Sequence, residues 1–291
     1  MNRWRSWVAT AAIVAAALAC AAGAGAGARE TETATAAVAA AVDRPIVRPD
    51  AIGANSCGFC ALYHSLAWGG TELAVAAAKL GGATDADKVE QLIARYGAKP
   101  SEAYAGKRAR YVASSGITWS DLGVATGELF ADAGLGTIVS GYLDRQKDER
   151  HAAHARRVHH LLADSLAAGM PPVLSIRSFT VREVDGKKQW QGLMGHWVTV
   201  VDVQPELGDG EQGFRLGFVD SETGRRQWGY AYADDTRKFT AAKGDSEKFE
   251  WLTDSPFLAL VAPKPGLATG EEAWSTRTVV TLNYAIGRAK K

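Results

Sequence analysis

The sequence predicts an α+β fold in which a helical first half packs on an antiparallel sheet built by the second half. Two observations carry this. Up to about residue 168 the apolar side chains mostly recur three and four apart, whereas beyond Pro171 and Pro172 they fall into β-type runs separated by turn-forming stretches. Helices gathered ahead of strands, with no internal repeat, indicate two lobes rather than an alternating βα fold.

The chain has 291 residues, 47% hydrophobic and 22% charged, enough for one large domain or two small ones. Residues 1–28 have the pattern of a secretory signal: Arg3 and Arg5, an apolar run from Trp7 to Ala22, and Ala26-Gly27-Ala28 as a small-residue cleavage site before Arg29. An exported protein, periplasmic or secreted, is expected. Cys20 offers lipid attachment as an alternative, although its leucine stands two places before it and not the usual three. The apolar run is short for a membrane span, and none is expected in the mature chain. Loss of Arg3 and Arg5 takes the formal charge from +1 to −1, which gives no electrostatic reason to expect nucleic acid as a partner. Cleavage also removes Cys20 and leaves Cys57 and Cys60, too few for a disulfide scaffold.

Residues 29–45, rich in Ala and Thr, read as a flexible linker, and folded structure is expected to begin near Ile46. Asn55 to Gly70 reads as a short helix that starts at Cys57 and stops at a double glycine. Thr71 to Leu80 and Asp85 to Tyr96 have helical spacing, Gly97 to Gly116 is irregular, and Thr118 caps a helix that ends at Gly134. Thr137 to Tyr142 is a short strand. The polar run Asp144 to Arg157 continues into Val158, Leu161, Leu162 and Leu166 as a helix, with its histidines and arginines read as a solvated face. Val173 to Ile176, Gln189 to Val203, Gly213 to Val219, Gln227 to Tyr232 and Phe257 to Val261 read as strands. Trp190, Trp197 and Trp228 are expected in the core or the wall of a cleft.

The chemistry is expected at Cys57. A thiol at a helix start sits beside unpaired backbone N–H groups and the positive end of the helix dipole, which stabilise negative charge on sulfur. A nucleophilic thiol needs a base and a group that orients it. Of the six histidines, His196 opens a strand directly after Gly195. If that strand pairs with Gly213 to Asp220 about Gly208, His196 stands opposite Asp220 and shares a face with it. A slip of one residue would bring Ser221 there instead.

These segments resemble the papain-like bacterial cysteine peptidases of family 39, the bacteriocin-processing type that cuts after a double-glycine leader. Asn55-Ser56-Cys57-Gly58 with Ala61, Leu62, Leu66, Trp68 and Gly70 resembles that family's nucleophile helix, and Gly195 to Val201 its histidine strand. Phe218 to Gly224 resembles the aspartate segment, with Ser221 where proline is usual; Gly169 to Leu174 and Phe249 to Val261 resemble flanking segments. The resemblance spans about Ile46 to Pro263, which implies a domain over 46–263 and a C-terminal extension over 264–291. It implies a papain-like fold, a Cys57, His196, Asp220 triad, hydrolysis of amide bonds in a peptide or protein substrate, and no cofactor or metal. One departure stands out. The family's oxyanion glutamine, six residues before the nucleophile, is here Ala51; Asn55 can replace it only if the local backbone differs from the family's, and otherwise another side chain fills the hole or activity is weak or lost.

Three other readings remain open on sequence alone. A papain-type register over Ser56-Cys57-Gly58-Phe59-Cys60 makes Cys60 the nucleophile. Cys57-Gly58-Phe59-Cys60 has the spacing of a redox or metal site, with His151 and His154 as the nearest pair of further ligands. The missing glutamine suits a catalytically inactive papain-like binding module.

Overall fold

The computed structural model describes residues 44, 46–184, 187–233, 257–262 and 278–289. The segments read as leader and linker lie outside them, apart from Arg44.

The first half is helical. Helix α1 (Cys57–Ala67) is followed by α2 (Thr71–Ala78) and α3 (Asp85–Leu92), and a wide π turn over Ile93–Gly97 completes what the sequence reads as one helix to Tyr96. A small hairpin, β1 (Tyr111–Val112) and β2 (Gly116–Ile117), interrupts the irregular stretch. Helix α4 (Trp119–Ala133) begins at Thr118, whose hydroxyl accepts from the Asp121 N–H, and ends at Gly134 in the left-handed region (φ 67°). Burial follows the apolar spacing. Residues Gly58 to Leu66 of α1 are all buried, in a core shared with Leu73, Val89, Leu92, Tyr96, Leu122 and Phe130.

Among the described residues the second half forms one antiparallel sheet, with β3 (Val139–Tyr142), β4 (Val173–Val184), β5 (Lys187–Val203), β6 (Gly213–Asp220), β7 (Arg225–Tyr232), β8 (Ala259–Val261) and β9 (Thr278–Gly287). Their order is β3-β9-β4-β5-β6-β7-β8, and the pair Ala259↔Thr281 joins β8 back to β9. The six strands from β4 to β9 therefore close on themselves, with β3 outside the ring. Alternate residues of the strands feed two cores. Val173 and Trp197 join the helical core, while Leu174, Ile176, Val198 and Val200 pack with α5 (His151–Ala167) through Val158 and Leu162.

Four expectations are corrected. Within the segment read as a C-terminal extension, residues 278–287 belong to the domain, because β9 pairs with β3, β4 and β8 and buries Val279, Val280, Leu282, Ala285 and Ile286. The histidines of α5 are not all solvated: His154 and His159 are buried, and each donates from Nε2 to a backbone carbonyl, Leu143 O at 2.7 Å and Gln204 O at 2.6 Å. A helix face carrying Val158 and Leu162 also turns His154 inward, since these stand four apart. Trp228 is half exposed, with the Arg226 guanidinium 5.2 Å above its ring, and belongs to no core. Lastly, β5 and β6 do not pivot at Gly208: Thr199 pairs with Val219, a register displaced by two residues, and a bulge at Val201 sets Asp202 against Gly217. Trp190 and most of the Phe249 to Val261 segment have side chains outside the described set. Among the described residues no helix is long and apolar enough to cross a membrane.

Candidate active site

Cys57 opens α1, and the chain before it is held in a compact approach. Pro49–Ala51 forms a 3-10 turn, Asn55 takes a left-handed φ of 60°, a conformation that Asn tolerates, and Ser56 Oγ donates to Gly53 O at 2.9 Å. The hairpin β1–β2 rests on this approach: Tyr111 Oη donates to Ala54 O and Asn55 Nδ2 to Ala113 O, both at 2.8 Å. Behind the thiol, Gly58 lets the helix approach its neighbours closely. A Cβ there would stand 2.6 Å from Ile117 Cγ2 and 3.3 Å from Trp197 Cδ1. The close contact with Trp197 brings the start of α1 against the residue that follows His196.

His196 is buried on β5, and its Nε2 donates to Asp220 Oδ1 at 2.9 Å. The Cys57 thiol lies near enough to the same ring to act on its proton affinity. With Nε2 given to the carboxylate, Nδ1 is the nitrogen left for sulfur. The structure thus brings Cys57, His196 and Asp220 together from a helix and two strands. Burial acts to push the imidazole below its ordinary value, but the hydrogen bond to Asp220 and the nearby Cys57 thiol, with their charges, outweigh it and hold His196 up at about 10. At neutral pH it is an imidazolium.

Asp220 is fully buried and surrounded by donors. Oδ1 takes, besides His196, the N–H groups of Glu222 at 3.0 Å and Thr223 at 3.4 Å, and Oδ2 takes Gln227 Nε2 at 3.1 Å. A buried carboxylate that meets this many N–H groups keeps its charge at low cost. Ser221, the residue that a one-residue slip would have put in place of Asp220, is buried and its hydroxyl meets no partner among the described atoms.

Cys60 is separated from this group. Its side chain is wholly buried, the Ser56 hydroxyl lies 3.8 Å from its sulfur, and burial pushes the thiol up to about 12. Asn55 is exposed, and its amide is engaged with the Ala113 carbonyl, so it holds the hairpin rather than standing ready beside Cys57. Ala51 is exposed at the end of the 3-10 turn. His151 and His154 are not joined by further ligands: among the described residues no three His, Cys, Asp or Glu side chains gather as a metal site would require.

Two residues of this region escape a reading from spacing. Gln227 pairs with Phe218 across β6 and β7, on the face that Asp220 also uses. The tight turn Ser221 to Gly224 signals that pairing, so the face could have been read from the sequence. His64, on α1, accepts the Val47 N–H at Nε2 (2.9 Å), and burial pushes it down to about 4, so that it stays neutral. No sequence signal announces that partner, which lies 17 residues earlier. Comparison with family models, with curated proteins and with solved structures finds no match to this chain.

Proposed function

We propose that this chain is a papain-like cysteine peptidase that hydrolyses amide bonds of peptide or protein substrates through Cys57, His196 and Asp220. The observation that carries the reading is that one buried imidazole meets both a thiol at a helix start and a carboxylate held by four N–H donors. A helical core packed on a closed antiparallel sheet, with the thiol on the helix and the imidazole on the sheet, supports the papain-like assignment. In the reaction so proposed, the Cys57 sulfur attacks the carbonyl carbon and the carbonyl electrons move onto oxygen. As the C–N bond breaks, His196 gives its Nδ1 proton to the leaving amine, and a thioester remains. Water then attacks the thioester while His196 takes its proton, and the acid and the sulfur are released. Asp220 keeps the ring oriented and balances its charge throughout.

The oxyanion falls near the start of α1, where the first backbone N–H groups of the helix have no intrahelical partner. The family's glutamine position is Ala51, and lack of one such donor typically costs about two to three orders of magnitude in rate. Exposed Ala51 and the engaged Asn55 amide therefore favour a second reading, a binding module that keeps the cleft but turns over slowly or not at all. A redox role for the Cys57, Cys60 pair is less well supported, because the Cys60 thiol is buried and resists ionisation. The leader pattern of residues 1–28 makes export part of the proposal.

An electrophilic, peptide-like cysteine probe tests it. The reduced wild-type protein should label on Cys57 and release peptides from a mixed peptide pool, read by mass spectrometry. Folded protein that neither labels nor cuts would leave the binding module as the better reading.

A further inference from the structure

We propose that Gln227 is a positioning residue, whose amide fixes the Asp220 carboxylate so that one defined oxygen faces His196. The proposal rests on reading Cys57, His196 and Asp220 as one catalytic group. Gln227 Nε2 reaches Asp220 Oδ2 at 3.1 Å and Thr223 Oγ1 at 3.0 Å, so both hydrogens of the amide are directed at the Asp220 turn. Thr223 in turn gives its N–H to Oδ1 and its hydroxyl to the Asp220 carbonyl at 3.5 Å. The amide therefore ties the carboxylate to the turn that supplies its other donors.

A carboxylate can rotate about its Cβ–Cγ bond and exchange its oxygens. Among the described contacts the two oxygens have different partners: Oδ1 has two backbone N–H groups and the imidazole, and Oδ2 has Gln227. The amide makes the second oxygen distinct and resists that rotation. Its own base is rigid, since Gln227 lies in the β6–β7 ladder opposite Phe218, two residues along from the Asp220↔Arg225 pair. It is only part-buried, so a side chain of equal length without a donor fits there without leaving a large cavity. The ionisable groups meeting His196 are Cys57 and Asp220; His64 of α1 faces Asp220, Cys60 faces Cys57, and Glu222 of the turn acts on Cys60.

The test is Gln227→Met, read in three ways on the full chain. Histidine-labelled NMR, with the His196 signal assigned through His196→Gln, should show the imidazole titrating about one pH unit lower than in wild type, as expected when an anionic partner loses a donor and its orientation. The rate of probe labelling at saturation should fall about tenfold or more with the half-saturating concentration unchanged, and Gln227→Asn, too short to reach, should behave alike. Thermal unfolding should move by only a few degrees. An unshifted His196 titration overturns the proposal, whatever the rate does, and so does a rate that falls only in step with stability. If wild type proves inert to probe and peptide, the peptidase reading fails, and the titration still decides whether Gln227 sets the Asp220–His196 geometry.

Discussion

His196 and Asp220 are joined by a 2.9 Å hydrogen bond although they are not cross-strand partners. The last ladder pair of β5 and β6 is Thr199↔Val219, so the carboxylate meets the ring on a diagonal, past the end of the pairing. Diagonal neighbours on one face are within reach of a long side chain but are less constrained than direct partners. The contact therefore depends on the turn after Asp220, whose N–H groups hold the carboxylate, more than on the ladder.

Neutralising Asp220 should be costly even where shape is kept. Asp220→Asn still offers an oxygen to His196 Nε2 but no charge, and it turns N–H donors of the turn against an amide. We expect labelling and turnover at neutral pH to fall at least about tenfold, and His196→Ala to lose about two to four orders of magnitude. Stopped assays on folded variants check this. An Asp220→Asn protein as fast as wild type would remove aspartate from the group.

Cys57 and Cys60 should separate cleanly. Cys57 is part-exposed and acts on His196, while Cys60 is buried and pushed up to about 12. Cys57→Ala is expected to abolish labelling, and Cys60→Ala to retain most of it, with a modest loss of stability from packing. Intact-mass measurement after treatment with the probe decides. A silent Cys60→Ala beside a reactive Cys57→Ala would restore the papain-type register.

Two histidines should shape stability against pH in opposite directions. His196 is raised from 6.5 to about 10, so its contribution is full below about pH 6.5 and is lost as pH climbs towards 10. His64 is lowered to about 4, so its contribution is present above about 6.5 and is lost as pH falls towards 4, when the Val47 N–H also loses its acceptor. The melting temperature should therefore be highest near neutrality. His196→Gln should flatten the alkaline limb alone, and His64→Gln the limb between about pH 6.5 and 4.5. A uniform offset across pH in either variant contradicts the assignment.

Much of this arrangement is legible in the sequence, and the reasons differ by element. Periodicity and caps place α1 and α4 because Leu62, Leu66, Thr118 and Gly134 each answer to local rules. The His196–Asp220 face survives a wrong register because the displacement is an even number of residues, and parity alone decides the face of a strand. Other features are non-local. The bulge at Val201 has no signature in Val200-Val201-Asp202, and although spacing from Val158 puts His154 on the buried face, its acceptor, the Leu143 carbonyl, is supplied only by the folded chain. Asn55 misleads for the same reason: its proximity to Cys57 in sequence says nothing of Ala113, which claims its amide.

Gly58 should not tolerate a methyl group. Its Cβ would press on Ile117 Cγ2 at 2.6 Å, a branched side chain already buried, and touch Trp197 beside His196. Gly58→Ala is expected to cost about 1–3 kcal/mol, typical of overpacking, despite the better helix propensity of alanine. Labelling should slow as well, because the shift moves the start of α1 relative to β5. Unfolding in urea and labelling kinetics measure the two effects. A more stable Gly58→Ala protein would show that Ile117 yields freely.

Ending the chain at residue 263 should destroy the fold, although the family resemblance places the domain boundary there. Strand β9 lies between β3 and β4, touches β8, and carries five buried aliphatic side chains, Val279, Val280, Leu282, Ala285 and Ile286. Each larger one is worth about 1.5–3 kcal/mol when fully buried, against a total stability of about 5–15 kcal/mol for a typical domain. Its removal also leaves the inner edge of β4 unpaired from Val173 to Thr180, beside the barrel core. The truncated chain is expected to be insoluble or to lack a cooperative thermal transition, and to label on any accessible thiol without preference for Cys57. Supplying residues 264–291 as a separate chain should restore part of the transition, since the missing strand needs no covalent link to pair. A truncated protein that melts cooperatively within a few degrees of the full chain would return residues 264–291 to the status of an appendage.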